Sequence, residues 1–137
     1  MIVVDTGPLV ALANDRDQDH AVCQALLSGF AGPLLVPAPV VTEVCYMLES
    51  RRGPELEAAF LDDLAEGVLE LVALERADVA RMAELVRTYH DLPLGAADAS
   101  VVAVAERFAT ANVATLDHRD FRVIRPHHVD ALRLLPG

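Results

Sequence analysis

Two periodicities alternate along the chain. Met1 to Val4 is a short apolar, β-branched run that stops at Asp5, Leu34-Leu35-Val36 is a second, and Asn112 to Leu116 closes a third, each short enough and apolar enough to be a buried strand. Val68 to Leu74 alternates as a strand does. Between these runs the spacing changes to that of helices: Leu9 to Asn14, His20 to Phe30, Pro39 to Arg52, Pro54 to about Ala65, Ala77 to Tyr89 and Leu94 to Phe108. Their ends are punctuated. Thr6-Gly7-Pro8 offers a cap followed by an early proline, Gly29 and Gly32 stop the second helix, and Arg51-Arg52-Gly53 places two cations at the negative end of a dipole. Arg122 to Ile124 reads as a last short strand before a tail ending in Leu132, Leu134 and Leu135.

Strands separated by one or two helices imply parallel pairing, so the expected fold is α/β, a three-layer α/β/α sandwich with a mainly parallel central sheet, built as one domain over residues 1–137. In such sheets sites form beyond the carboxyl ends of the strands, which directs attention to the residues after Val4 and after Leu116. One stretch, Ala21 to Thr42, is uncharged and long enough to raise the question of a membrane span. Gly29, Gly32, Pro33, Pro37 and Pro39 interrupt it, so it reads as helix, turn and buried strand, with no membrane partner. No basic segment precedes the first apolar run, so a secretory signal is not expected there.

Composition narrows the chemistry. Apolar residues make up 53% of the 137 positions, ample for a core, and 21 acids against 11 basic residues give a formal charge of −10. A polyanionic partner must therefore be met locally. All the basic residues are arginines, and the absence of lysine excludes phosphate loops and Schiff-base enzymes that depend on an ε-amine. Cys23 and Cys45 lie far apart without a paired motif and read as reduced core thiols of a cytoplasmic protein.

Most acids are scattered over polar helix faces, but four stand where a carboxylate is a liability. Asp5 follows the first strand directly. Glu43 is the one acid between His20 and Leu48, set among Val40, Val41, Val44 and Cys45. Asp98 lies in Gly95-Ala96-Ala97-Asp98-Ala99-Ser100, where small residues permit close approach, and Asp117 follows the strand Val113 to Leu116, with Asp120 three residues on. Taken singly, each has a structural alternative: a cap at Asp5, a dipole partner at Asp98, the wet edge of a helix at Glu43, a turn at Asp117 and Asp120. Taken together, at strand ends and on helices that can reach the same edge, they form an anionic cluster that needs a cation. With no lysine, and no arginine near Asp5, Glu43 or Asp98 in sequence, Mg²⁺ or Mn²⁺ is the natural counter-charge, and metal-dependent phosphodiester hydrolysis the natural chemistry.

Four segments in order, Val3 to Leu12, Pro37 to Val44, Leu92-Pro93-Leu94 leading to Ala97 to Ala103, and Ala114 to Phe121, resemble the successive motifs of PIN-domain nucleases, and more narrowly the VapC toxins of bacterial VapBC systems. The resemblance runs from residue 2 to about 135. It implies a Mg²⁺- or Mn²⁺-dependent endoribonuclease that cuts tRNA or ribosomal RNA, a homodimer, and a cognate VapB antitoxin that sets a cation against the acids. By position it makes Asp5, Glu43 and Asp98 core metal ligands and Asp117 the fourth acid, with Thr6 and Thr115 as flanking hydroxyls and Asp120 as the competitor of Asp117. Gly95 stands where many members carry a further acid, so one-metal and two-metal chemistry both stay open.

RNA needs cations, and residues 111–137 carry Arg119, Arg122, Arg125 and Arg133 against Asp117, Asp120 and Asp130, four minus three, a local charge of +1 beside the last acid. Arg119, Arg122 and Arg125, with His118, His127 and His128 nearby, are the candidate RNA contacts. Tyr46 and Tyr89 sit at helical spacing among apolar residues and read as core. A haloacid-dehalogenase-like phosphatase is excluded by Gly7, two positions after Asp5, and by the missing lysine. The competing reading is a non-catalytic module of the same fold that grips RNA or a protein.

Overall fold

The computed structural model describes residues 1–137 and places all five strands in one parallel sheet of order β3-β2-β1-β4-β5. The strands are β1 (Ile2–Val4), β2 (Leu34–Pro37), β3 (Glu70–Val72), β4 (Asn112–Ala114) and β5 (Arg133–Leu135). Seven helices connect them: α1 (Thr6–Ala13), α2 (His20–Gly29), α3 (Ala38–Arg52), α4 (Pro54–Ala65), α5 (Arg76–Thr88), α6 (Ala96–Arg107) and α7 (His118–Val123). Successive side chains of a strand point to opposite faces, and Ile2, Val3 and Val4 are all fully buried, so helices cover both faces of the sheet at its centre. No helix is long and apolar enough to cross a membrane.

The strand order fixes where a site can form. From β1 the chain winds to β2 and β3 on one side, then returns to place β4 and β5 on the other. Winding therefore reverses between β1 and β4, which pair through Val3 with Val113 and Val4 with Ala114. Beyond that pair the two chains part to opposite sides, leaving a crevice at their carboxyl ends, where Asp5 and Thr115 follow. Helix α6 packs on β1, β2 and β4. Its Ala97 and the unbroken run Ala99 to Ala105 are buried, and small Ala and Val side chains let this helix lie close to the sheet. Helix α3 runs against β2, α1, α4 and α6.

Three readings of the sequence are corrected. Residues Arg122 to Ile124 are not a strand: α7 occupies His118–Val123, and the last strand, β5, lies in the tail, paired with β4. The reason is spacing. Phe121 and Ile124, three apart, are buried while Arg122 and Val123 between them are exposed, which is one face of a helix, and Asp117 caps it by accepting the Asp120 amide at 3.3 Å. Burying the Phe121 ring contributes about 1.5–3 kcal/mol, enough to override local strand propensity. Second, Tyr46 is 70% exposed on α3, so it is not a core residue, whereas Tyr89 packs against the core and its hydroxyl accepts the Arg125 amide at 2.8 Å. Third, β3 shrinks to Glu70–Val72 because it is an edge strand with one neighbour. Val68 and Leu71 stay exposed.

Candidate active site

Strand pairing brings the first and last acid-bearing segments together. The Asp5 amide donates to the Ala114 carbonyl at 2.9 Å, continuing the β1–β4 ladder by one residue, and this sets the Asp5 side chain beside Thr115. Thr115, fully buried, donates its hydroxyl to Asp5 Oδ2 at 2.9 Å, while its own Oγ1 accepts the Asp117 amide at 3.0 Å. One hydroxyl thus fixes the positions of two acids, 112 residues apart in the chain by their numbers (117 − 5).

Asp5, Thr6, Glu43, Asp98 and Asp117 line one pocket of about 440 Å³ together with Gly7, Met47 and Leu116. Gly7 packs closely on Leu116: a Cβ there would stand 3.3 Å from the Leu116 side chain, which would have to give by a few tenths of an ångström. The carboxylates differ in setting. Asp5 is buried and Asp98 half-buried, the latter in the first turn of α6; Glu43 and Asp117 are exposed at the mouth, so the apolar neighbours of Glu43 in sequence do not bury it. Asp120 is separate. It lines a neighbouring hollow with Asp91, Leu92, Pro93 and Arg119, sharing only Asp117 with the acid pocket.

Electrostatics show that the cluster is under stress. Burial pushes Asp5 above the ordinary carboxylate range, and the charges of Glu43 and Asp117 add to the push, against the Thr6 amide and the Thr115 hydroxyl. Asp98 is raised to about 7, first by burial, then by repulsion from Asp5, Glu43 and Asp117. The Gly95 backbone hydrogen bond pulls the other way and does not offset this. Asp5 Oδ1 and Thr6 Oγ1 are buried without any hydrogen-bond partner. An unpartnered carboxylate oxygen at that depth costs free energy unless something in the pocket takes it up.

A contrasting acid shows what ordinary compensation looks like. Asp78 is 4% exposed, and its Oδ2 accepts the Glu75 amide at 2.9 Å in a capping box and lies 3.1 Å from Arg107. The sequence signal was present, as Glu75 three residues before Asp78. Asp5 has no such cation.

The acidic and hydroxyl oxygens that dominate the pocket suit a hard divalent ion. As the side chains stand, no three acidic, histidine or cysteine groups are close enough together to hold one ion, so a cation held by more than two of the four acids needs their side chains to move. Glu43, exposed and with the longest of the four side chains, is free to do so.

The Asp98 value has a consequence for stability in the absence of metal. Its folded pKa of about 7 exceeds the ordinary 3.8, so between those values the native state holds more protons than the unfolded chain and stability falls as pH rises. Below 3.8 this burial cost is absent, and above about 7 it is complete. Thermal unfolding in chelator, followed across that window, is expected to show a falling midpoint, and Asp98→Asn to flatten the slope.

Of the candidate arginines, Arg119 borders the hollow next to Asp117. Arg125 lies elsewhere, donating to the Arg122 and Ile124 carbonyls and lining a depression with Pro126 to Asp130. Arg122 is exposed in the last turn of α7. His128 bonds the Thr110 carbonyl at 2.8 Å and serves the fold.

Known proteins resemble this chain in sequence and in fold. The PIN domain family profile matches residues 2–125. A curated relative, "Ribonuclease VapC26" of Mycobacterium tuberculosis, is 35% identical over 125 residues, covering 91% of this chain and 93% of the relative. Among solved structures, Mycobacterium tuberculosis VapC20, described as a sarcin-ricin loop cleaving toxin, shares the fold with a TM-score of 0.82 at 19% identity over 88% of this chain and 92% of that one. VapBC2 from Rickettsia felis, solved bound to a DNA fragment from its promoter, matches with a TM-score of 0.66 at 19% identity over 98% of both chains.

Proposed function

We propose, on the premise that this chain belongs to the PIN-domain family, that it is an endoribonuclease acting as the toxin of a VapBC-type toxin–antitoxin pair. The observation that carries the chemistry is the single pocket lined by Asp5, Glu43, Asp98 and Asp117, whose most buried member keeps one oxygen unpartnered. These four residues would hold Mg²⁺ or Mn²⁺, which when bound supplies charge neutralisation for a phosphoryl group and acidifies a water.

The chain's own residues do the rest. Thr115 locks Asp5 through Oδ2 and leaves Oδ1 free for the pocket, while holding the Asp117 amide so that both acids keep their spacing. Thr6, buried with a free hydroxyl, is placed to orient water or a phosphate oxygen. Asp98, with a pKa of about 7, gives up its proton readily near neutrality when a positive charge enters. Asp117 rather than Asp120 serves as the fourth acid, because Asp117 faces the pocket. The acidic cleft also suits an inhibitor that presents Arg or Lys, so a basic segment of a VapB-type antitoxin competes with metal and RNA for one place. A homodimer working in the cytoplasm, where its RNA lies, completes the reading.

Sequencing of RNA ends after brief expression in cells tests it. Discrete new ends in tRNA or ribosomal RNA are expected with the parent protein and none with Asp98→Asn. A binding-only module would give no new ends with either.

A further inference from the structure

The acid pocket is the middle of a longer trough. Gly7, Met47 and Leu116 line it and also an adjoining hollow of about 540 Å³, whose other walls carry Asn14, Arg16, Gln18 and Arg51. On the opposite flank Asp117 is shared with the hollow that holds Arg119. That second hollow carries Asp91 and Asp120 besides Asp117, against the one Arg119, so of the two flanks only the larger hollow matches its acids with arginines.

The arginines of the larger hollow are not employed by the fold. Arg52, next in the chain to Arg51, is: its Nη1 donates to Asn14 Oδ1 at 2.6 Å and to Asp15 Oδ1 at 2.9 Å. Arg51 and Arg16 are exposed and their guanidinium groups bond to no protein atom; Arg16 acts on Asp15 only through space. Yet the backbone bearing Arg16 is fixed. Buried Asn14 accepts the Arg16 amide at 3.1 Å on the same Oδ1 that takes Arg52, which ties the loop after α1 to the end of α3. The result is two free guanidinium groups on an anchored scaffold, beside a cluster that would repel a phosphate chain.

We propose that Arg16 and Arg51 grip the phosphodiester backbone of RNA on the α1–α3 side of the acid pocket, holding a phosphate that neighbours the one cleaved. This rests on the ribonuclease reading of that pocket. A chain of charge −10 has no general attraction for RNA, so its grip must come from local forked donors, and Arg supplies them in the geometry phosphate accepts. Asp17 and Asp19 share the hollow and bring its formal charge to zero, two arginines against two aspartates. The hollow is thus a directed contact rather than a general anion trap, and Asp17 Oδ1 is already taken by the Asp19 amide at 2.9 Å.

The test uses a fluorescein-labelled RNA hairpin and anisotropy, in the Asp98→Asn background so that the probe is not cut. Arg16→Ala and Arg51→Ala are each expected to weaken binding roughly tenfold and to lower the slope of log affinity against log salt by about one. Arg51→Lys recovers part of the affinity, and Arg87→Ala, on an exposed turn of α5, changes neither quantity. In the cleaving protein the same arginine variants raise KM with kcat held within about twofold. Unchanged affinity and slope would overturn the proposal and leave the ribonuclease reading standing. RNA affinity unchanged with loss of inhibition by the antitoxin would also overturn it, assigning the hollow to a peptide. Weakened RNA binding by these variants in a protein that cuts no RNA would sink the ribonuclease reading, and with it the placement beside a cleaved phosphate, while supporting the contact of Arg16 and Arg51 with RNA.

Discussion

Asp98→Asn is expected to lower RNA cleavage by about 10³-fold or more, the loss of several kcal/mol of transition-state stabilisation, while the protein stays folded. In chelator, above the Asp98 pKa of about 7, the variant should also melt higher than the parent, because an amide removes both the buried charge and its repulsion with Asp5, Glu43 and Asp117. Stability and activity thus move in opposite directions, which a structural acid would not allow. Asp78→Ala supplies the contrast. It deletes a capping box and a contact with Arg107, costs about 1–2 kcal/mol of stability, and leaves cleavage by the folded fraction unchanged. Kinetic assays and thermal unfolding on the same preparations decide between these patterns.

The second large effect is metal dependence. Chelation is expected to abolish cleavage, and Mg²⁺ or Mn²⁺ to restore it; Ca²⁺, larger and with looser coordination, should restore it poorly. The ion should also stabilise the fold by about 2.7 kcal/mol at a hundred times its dissociation constant, since the unfolded chain has no such pocket. This gain should grow as pH rises through about 7, where Asp98 no longer has to release a proton to take part.

How much of this was legible in the residues varies with the range of the interaction. Strand β1 and the acid after it were plain, because a β-branched run ending at a carboxylate needs only local reading. The convergence of Asp5 with Asp117 followed from parallel pairing, and Asp98 from an isolated acid among small residues. What stayed hidden was set by partners far along the chain. Helix α7 replaces an expected strand because Phe121 and Ile124 find the core on one face, and β5 exists because β4 offers an open edge. The exposure of Glu43 was also not readable, since apolar neighbours on a helix do not say which way one side chain turns. Charge counting along the chain drew attention to Arg119, Arg122 and Arg125, whereas Arg16 and Arg51 reach the trough through the anchoring by Asn14 and Arg52, which no local pattern announces.

The claim beneath all of this is that distant carboxylates share one cation. Calorimetric titration of Mn²⁺ into the parent protein and into Asp5→Asn, at a pH above the Asp98 value of about 7, tests it most directly. Saturable binding by the parent that is lost or weakened at least about a hundredfold in the variant is the expected result. Equal binding by both proteins, or none by either, would contradict the account.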